Sequence, residues 1–171
     1  MPTAGSCRRG RSARFISGLE EFPDFTYHGQ DEKRREVGRD GLVTLGDVGY
    51  LDEDGYLFVC DRARDMVISG GVNIYPAEIE AALLAMPGVR DCAVFGIPDK
   101  EYGEKLCAHI EPETAARLDA AEVKAFLRGR LADFKVPRSI AFEATLPRED
   151  SGKIMKRKLR EPYWVNVRRR I

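Results

Sequence analysis

Apolar positions are distributed unevenly along the chain, and the change comes near residue 40. Before it periodicity is poor: Phe22, Phe25 and Tyr27 form an aromatic cluster, and residues 31–39 are a charge run, the pattern of a solvated helix or loop. Two β-prone runs then flank Asp52-Glu53-Asp54-Gly55, whose Asp-Gly supplies the positive φ of a tight turn. Residues 41–61 therefore read as a β-hairpin. Residues 61–65 are a polar break. A short strand at 66–68 follows, then Gly70-Gly71, where backbone freedom is greatest.

Pro76 fits the first turn of a helix, and Ile79, Leu83 and Met86 stack on one face until Pro87-Gly88 stops it. Strands are expected at 91–97 and at 105–110, where Leu106, Ala108 and Ile110 alternate with Cys107 and His109. Asp119 and Glu122 have the spacing of a capping box ahead of the stripe Val123, Phe126, Leu127 and Leu131. A strand at 140–142, a loop at 146–152 and one or two helical turns at 156–160 complete the pattern. The order β, α, β, β, α, β over 66–142 predicts an α+β domain with a central sheet and two main helices.

Composition narrows the class. At 171 residues and 43% hydrophobic, the chain can bury a core without disulfides or a metal. Its apolar run at 81–86 is far short of the ~20 residues that span a bilayer. Cys7, Cys60, Cys92 and Cys107 include no Cys-x-x-Cys pair and only two histidines accompany them, so no metal site is expected. Cys92 and Cys107 sit in apolar stretches as small core residues, which fits a reducing cytoplasm. The first 19 residues carry Arg8, Arg9, Arg11 and Arg14 and no acid. An organelle transit peptide and a disordered or atypically started N-terminus both remain open, and residues 1–40 are expected to be poorly structured or atypical.

The 28 cations and 28 acids cancel overall, but not locally. From Lys153 onward there are eight cations and one acid, Glu161, leaving 20 cations against 27 acids before it, so a body of about −7 precedes an end of about +7. The basic tail at 165–171 would bind a polyanion or, more simply, lie solvated near the acidic body. No aromatics are interleaved with its cations, so nucleic acid is not expected as a partner.

Several residues have side chains suited to ligand chemistry. Asp47 follows Gly46 at the hairpin edge, where a carboxylate can accept both hydroxyls of a ribose, and Arg62 can donate to a sugar or phosphate. Taken alone, the Gly-Asp pair reads as a plain turn. Gly70-Gly71 could admit a ligand close to the backbone, or could simply turn the chain. Gly152-Lys153 places an ammonium on a loop without the remaining residues of a Walker loop, offering a point charge for developing negative charge. A solvated surface lysine is the alternative.

In this order the pieces resemble a known family. Thr44-Leu45-Gly46-Asp47, the run from Asp61 to Glu80 with Gly70-Gly71-Val72-Asn73-Ile74-Tyr75-Pro76, then Phe134-Lys135-Val136-Pro137, and Leu146-Pro147-Arg148 leading to Gly152-Lys153-Ile154 resemble the C-terminal part of adenylate-forming, AMP-binding acyl-CoA synthetases. Fatty-acid and bile-acid-type CoA ligases are the most similar branch. The resemblance runs over about 25–164. It implies the hairpin 41–61 as the end of a large adenylation domain and 62–164 as the small C-terminal domain. Leu45 departs from the family pattern, standing between Thr44 and Gly46.

The resemblance implies a two-step ligation with ATP, accompanied by Mg2+, and CoA as substrates, and CoA and an acyl-adenylate as bound partners. It gives Asp47 and Arg62 to the nucleotide, Arg64 to a hinge, Gly70 and Gly71 to the CoA tunnel, and Lys153 to catalysis of the first step. It further leads to the expectation that this chain lacks the large ATP- and acyl-binding domain and is inactive alone. The alternative is a stand-alone module that serves a separate large adenylation subunit or binds CoA.

Overall fold

The structure, a computed structural model, describes residues 13–16, 28–29, 31–39, 42–165 and 167. The aromatic cluster at 22–27, Cys7 and the arginines of the tail lie outside the described residues. The chain divides into two compact units, Met1–Arg64 and Asp65–Ile171.

In the first unit, β1 (Ala13–Arg14), α1 (Asp31–Val37), β2 (Gly38–Arg39), β3 (Leu42–Val43), β4 (Asp47–Leu51) and β5 (Leu57–Arg62) succeed one another. The charge run is the helix α1, and β2 and β3 pair as a short antiparallel ladder. The antiparallel sheet β1-β4-β5 contains the expected hairpin. Its turn is looser than a two-residue loop: the Asp52 and Tyr56 backbones pair, and Asp52 Oδ1 accepts the amides of Asp54 and Tyr56 at 3.0 and 2.8 Å. Gly55, at φ +87°, reverses the twist so that the strands can rejoin. At Gly49 the strands approach closely enough that a Cβ would collide with the Phe58 carbonyl.

The second unit contains β6 (Val67–Ser69), β7 (Val72–Ile74), α2 (Pro76–Leu84), β8 (Val89–Asp99), β9 (Gly103–Pro112), α3 (Ala120–Arg128), a 3-10 turn at Asp133–Lys135, β10 (Ser139–Phe142) and α4 (Lys156–Trp164). β9 is the spine of its five-stranded sheet. β8 pairs with it antiparallel along its length, β10 pairs parallel, and β6 joins at Ser69 opposite Gly103. The predicted order of elements holds, with one addition. Val72–Ile74 returns as a strand, so Gly70-Gly71 is a hairpin turn.

Both helices form for the expected reasons. Pro76 opens α2, and Asp119 caps α3 through the amides of Ala121 and Glu122 while Glu122 answers to the Asp119 amide. Ile79 and Leu83 of α2 and Val123 and Leu127 of α3 are fully buried against Val94, Leu106, Ala108 and Ile110. Each such side chain contributes roughly 1.5–3 kcal/mol.

The alternation in β9 does not separate a wet face from a dry one. Cys107 and His109 are buried too, and with Ala93, Phe95 and Ile97 of β8 they form a second cluster, covered by Ile154 and Leu159. α4 lies over that face, extending the one or two turns expected at 156–160 as far as Trp164. It makes the unit a sheet with helices on both sides.

Candidate functional site

Residues expected to bind ligands fall at edges and turns of both units. In the first, Asp47 and Arg62 are register partners across β4 and β5, with Arg62 Nε 3.8 Å from Asp47 Oδ1. Both side chains are partly exposed, so this pair contributes little stability and its polar atoms still face solvent. Gly46, at φ +82°, accepts the Ala63 amide at 2.7 Å, which fixes where Asp47 leaves the turn. Leu45 is accommodated without loss: Thr44 Oγ1 accepts the Gly46 amide at 3.1 Å and donates to the Phe15 carbonyl at 2.7 Å. Arg64 is exposed and is the last residue of this unit.

In the second unit Gly70 and Gly71 form the two-residue turn of the β6-β7 hairpin, with Ser69 opposite Val72 and φ values of +57° and +80°. Positive φ at both positions is the requirement of a type I′ turn, which other residues meet only with strain. The Gly70 amide donates to the Tyr102 carbonyl at 2.9 Å, tying the turn to the β8-β9 hairpin.

Beside this turn runs an open groove of about 790 Å3. Lys105, Lys124, Arg128 and Arg138 line it against a single acid, Asp133. The Arg138 guanidinium lies 4.4 Å from the centre of the Tyr102 ring, and Lys124 Nζ donates to the Arg138 carbonyl at 2.8 Å. Val72 and Phe134, which line the groove, and Ile68, next in sequence to Ser69 of its lining, expose apolar surface. The surroundings of Gly70-Gly71 thus combine cations with apolar side chains.

Lys153 is elsewhere in this unit and is not among the residues lining the groove. It is exposed, on a loop closed by the bridge between Arg148 and Ile154. The Glu149 amide donates to the Lys153 carbonyl and the Gly152 amide to the Glu149 carbonyl, both at 2.8 Å. Among the described residues its ammonium meets no carboxylate, although Glu149 and Asp150 are near in sequence. Two neighbours differ from it. Arg148 pairs with Asp91 at 2.7 Å, which raises the guanidinium's pKa, and Lys156 pairs with Glu80 at 2.7 Å.

A third polar group lies beneath α4. His109 Nδ1 is 2.8 Å from Glu143 Oε1, and Nε2 is 3.1 Å from the Tyr163 hydroxyl. A carboxylate only accepts, so Nδ1–H donates to Glu143, and Nε2 shares the second hydrogen bond with the Tyr163 hydroxyl. This network satisfies a buried histidine, and burial raises the Tyr163 pKa.

The structure brings Asp47 to Arg62 and Gly70 to Gly71, and places Lys153 apart from the glycines. The groove cations and the partners of Arg148 and Lys156 were not singled out from sequence. The groove draws on three separated segments, which no local pattern reveals. A usable signal did exist for the glycines, since Val-Ile-Ser before them and Val-Asn-Ile after them are strand-like.

Comparison with known proteins bears on the family and the fold. Residues 78–153 match the family described as AMP-binding enzyme C-terminal domain. A feruloyl-CoA synthase of an Amycolatopsis species is 49% identical over 137 residues, covering 80% of this chain and 28% of that protein. The long-chain-fatty-acid–CoA ligase FadD13 of Mycobacterium tuberculosis is 39% identical over 141 residues, covering 82% and 28%. ATP-bound MatB from Rhodopseudomonas palustris superposes with a TM-score of 0.77 at 36% identity, over 95% of this chain and 32% of that one. The chain thus spans little more than a quarter of the length of these curated relatives. Among the described residues no helix is long and apolar enough to cross a membrane.

Proposed function

Because this chain carries the C-terminal domain of the AMP-binding, adenylate-forming enzymes, we propose that it supplies the C-terminal part of an acid–CoA ligase. In the first step a carboxylate oxygen bonds to the α-phosphorus of ATP, the bond to the β-phosphate bridge breaks, and pyrophosphate leaves with Mg2+ accompanying its phosphates. In the second, the CoA sulfur attacks the acyl carbonyl, AMP departs with the bonding electrons, and the thiol proton is released.

The observation that carries this reading is Lys153: a loop lysine whose ammonium meets no carboxylate among the described residues, available to bridge carboxylate and phosphate oxygens as charge builds on them. Asp47 would hold the ribose hydroxyls, and Arg62 would support the same nucleotide. The groove beside Gly70 and Gly71 suits the second step. The hairpin turn would pass the pantetheine arm, and the cations Lys105, Lys124, Arg128 and Arg138 would meet CoA phosphates. Arg64 would be the hinge through which the two steps exchange faces, a role supported by its place at the end of one compact unit.

Catalysis would require the large adenylation domain together with this chain, in one polypeptide or as a separate subunit. A cytoplasmic setting is supported by the burial of Cys92 and Cys107, which serve as small core residues. The test is to supply ATP, Mg2+, CoA and a panel of fatty, aromatic and steroid acids to the chain alone and to the chain with a large adenylation domain. Acyl-CoA is expected only in the second case, and formation by the chain alone would overturn this division of labour. A second reading, a CoA-binding or accessory module, is favoured by the separate core of the second unit. It predicts CoA binding that is lost when Lys124 and Arg138 are neutralised, with no ligation in either case.

A further inference from the structure

The loop that carries Lys153 has little apolar anchorage: residues 149–153 are all exposed, so polar bonds must order it. Two of these come from side chains on either side of Lys153, and both end on the sheet and α2. Upstream, Arg148 Nη2 donates to Asp91 Oδ2 on β8 at 2.7 Å and lies 3.6 Å from Glu111 Oε2, while Nη1 donates to the Gly152 carbonyl at 3.1 Å. Glu111 is 3% exposed and accepts the Leu146 amide at 2.9 Å, so the root of the loop is held on β9. Downstream, Lys156 Nζ lies 2.7 and 2.9 Å from the two Glu80 oxygens, and Glu80 Oε1 accepts the Val94 amide at 2.6 Å.

We infer that Arg148 and Lys156 are positioning residues: they brace the backbone on both sides of Lys153 so that its ammonium is presented in one place for adenylation. This rests on the assignment of Lys153 above. Only a guanidinium fork reaches Asp91 and Gly152 together; a lysine at 148 would reach one of them. These pairs are partly shielded, Glu111 and Glu80 most of all, so they are more persistent than pairs in open water.

The test has two arms. In the full chain, hydrogen exchange at the amides of Glu149 and Gly152 should speed up about tenfold or more in Arg148→Gln and Lys156→Gln, while amides of β8 and β9 stay protected. In the complete ligase, meaning this chain with its large adenylation domain, both variants should lower kcat for acid-dependent ATP–pyrophosphate exchange about ten- to a hundredfold, as small misplacements do. The KM for ATP and thioester formation from supplied acyl-adenylate should change less than about twofold, and Arg148→Lys should recover part of the loss. Unchanged loop exchange in both glutamine variants would overturn the inference. So would normal pyrophosphate exchange in them when Lys153→Ala abolishes it. If Lys153→Ala itself leaves that exchange intact, the assignment of Lys153 fails and the positioning role falls with it. Arg148→Lys keeps the first arm readable should Arg148→Gln not fold, because loss of one of two bonds still predicts faster loop exchange.

Discussion

Gly70 sits against Tyr102, so close that a Cβ at this position would stand 3.0 Å from the ring's Cδ1, whereas one at Gly71 would meet nothing within 4 Å. The two glycines of one turn therefore answer to different constraints. Gly71→Ala pays only for its left-handed backbone, roughly 1–2 kcal/mol, and Gly70→Ala must displace the Tyr102 ring as well. Urea midpoints should fall further for Gly70→Ala. Gly71→Leu, with space for its side chain in the fold itself, should leave adenylation intact in the complete ligase and suppress thioester formation. An unchanged thioesterification rate would remove Gly71 from the pantetheine path.

Lys153→Ala separates the half-reactions in the opposite sense. Its ammonium holds no carboxylate among the described residues, so the melting temperature of the chain should stay within about 1 °C, a surface substitution costing little. Pyrophosphate exchange should fall about 10²- to 10³-fold, the usual loss for a missing donor to developing charge. Thioester formation from supplied acyl-adenylate should be spared. Equal loss in both half-reactions would contradict the role assigned to Lys153.

Tyr163 joins α4 to the sheet through His109. Tyr163→Phe keeps the ring near Phe95, at a centroid distance of 6.2 Å in the native chain, but deprives the buried Nε2 of its hydrogen-bond partner. The expected cost is about 1–3 kcal/mol. Denaturant unfolding at neutral pH measures it, and a variant as stable as the parent would show that water replaces the hydroxyl.

The strands, α2, α3 and their caps were legible because their signals are local: a periodicity, Pro76, Asp119 with Glu122. α4 was harder, for Lys156–Trp164 is mostly charged and contains Pro162, and apart from Leu159 and the rings at its end it carries no apolar stripe. Its burial comes from β8 and β9, whose second dry face shows in sequence only as Cys107 and His109 within an apolar run. The turn glycines show in the sequence through their need for positive φ, whereas Asp47 and Lys153 stand out only through the resemblance of their motifs, because a Gly-Asp turn and a solvated loop lysine look the same in isolation. The braces were not legible: Arg148 meets Asp91 across 57 positions and Lys156 meets Glu80 across 76. Pairing over such distances is a property of the folded sheet rather than of any window of sequence.

Cys92 gives the fold a dependence on alkaline pH. Its Sγ–H donates to the Glu80 carbonyl at 3.7 Å, and burial first, then the nearby Glu80 and Asp91 carboxylates, push the thiol up to about 12, against a partial opposing pull from Lys156. The native state thus keeps its proton where the unfolded chain, with a thiol near its ordinary value of 9.0, gives it up. Below pH 9 the two states bind the same proton and Cys92 contributes no slope. From about 9 toward 12 the unfolded state binds fewer protons, so stability falls with rising pH by up to about 1.4 kcal/mol per unit from this group. Burial raises Cys107 in the same direction. Cys92→Ala should flatten the decline relative to the parent when urea midpoints are compared at about pH 8, 9, 10 and 10.5, because all other ionisations are common to both proteins. Identical slopes would mean that the native thiol ionises as readily as the unfolded one.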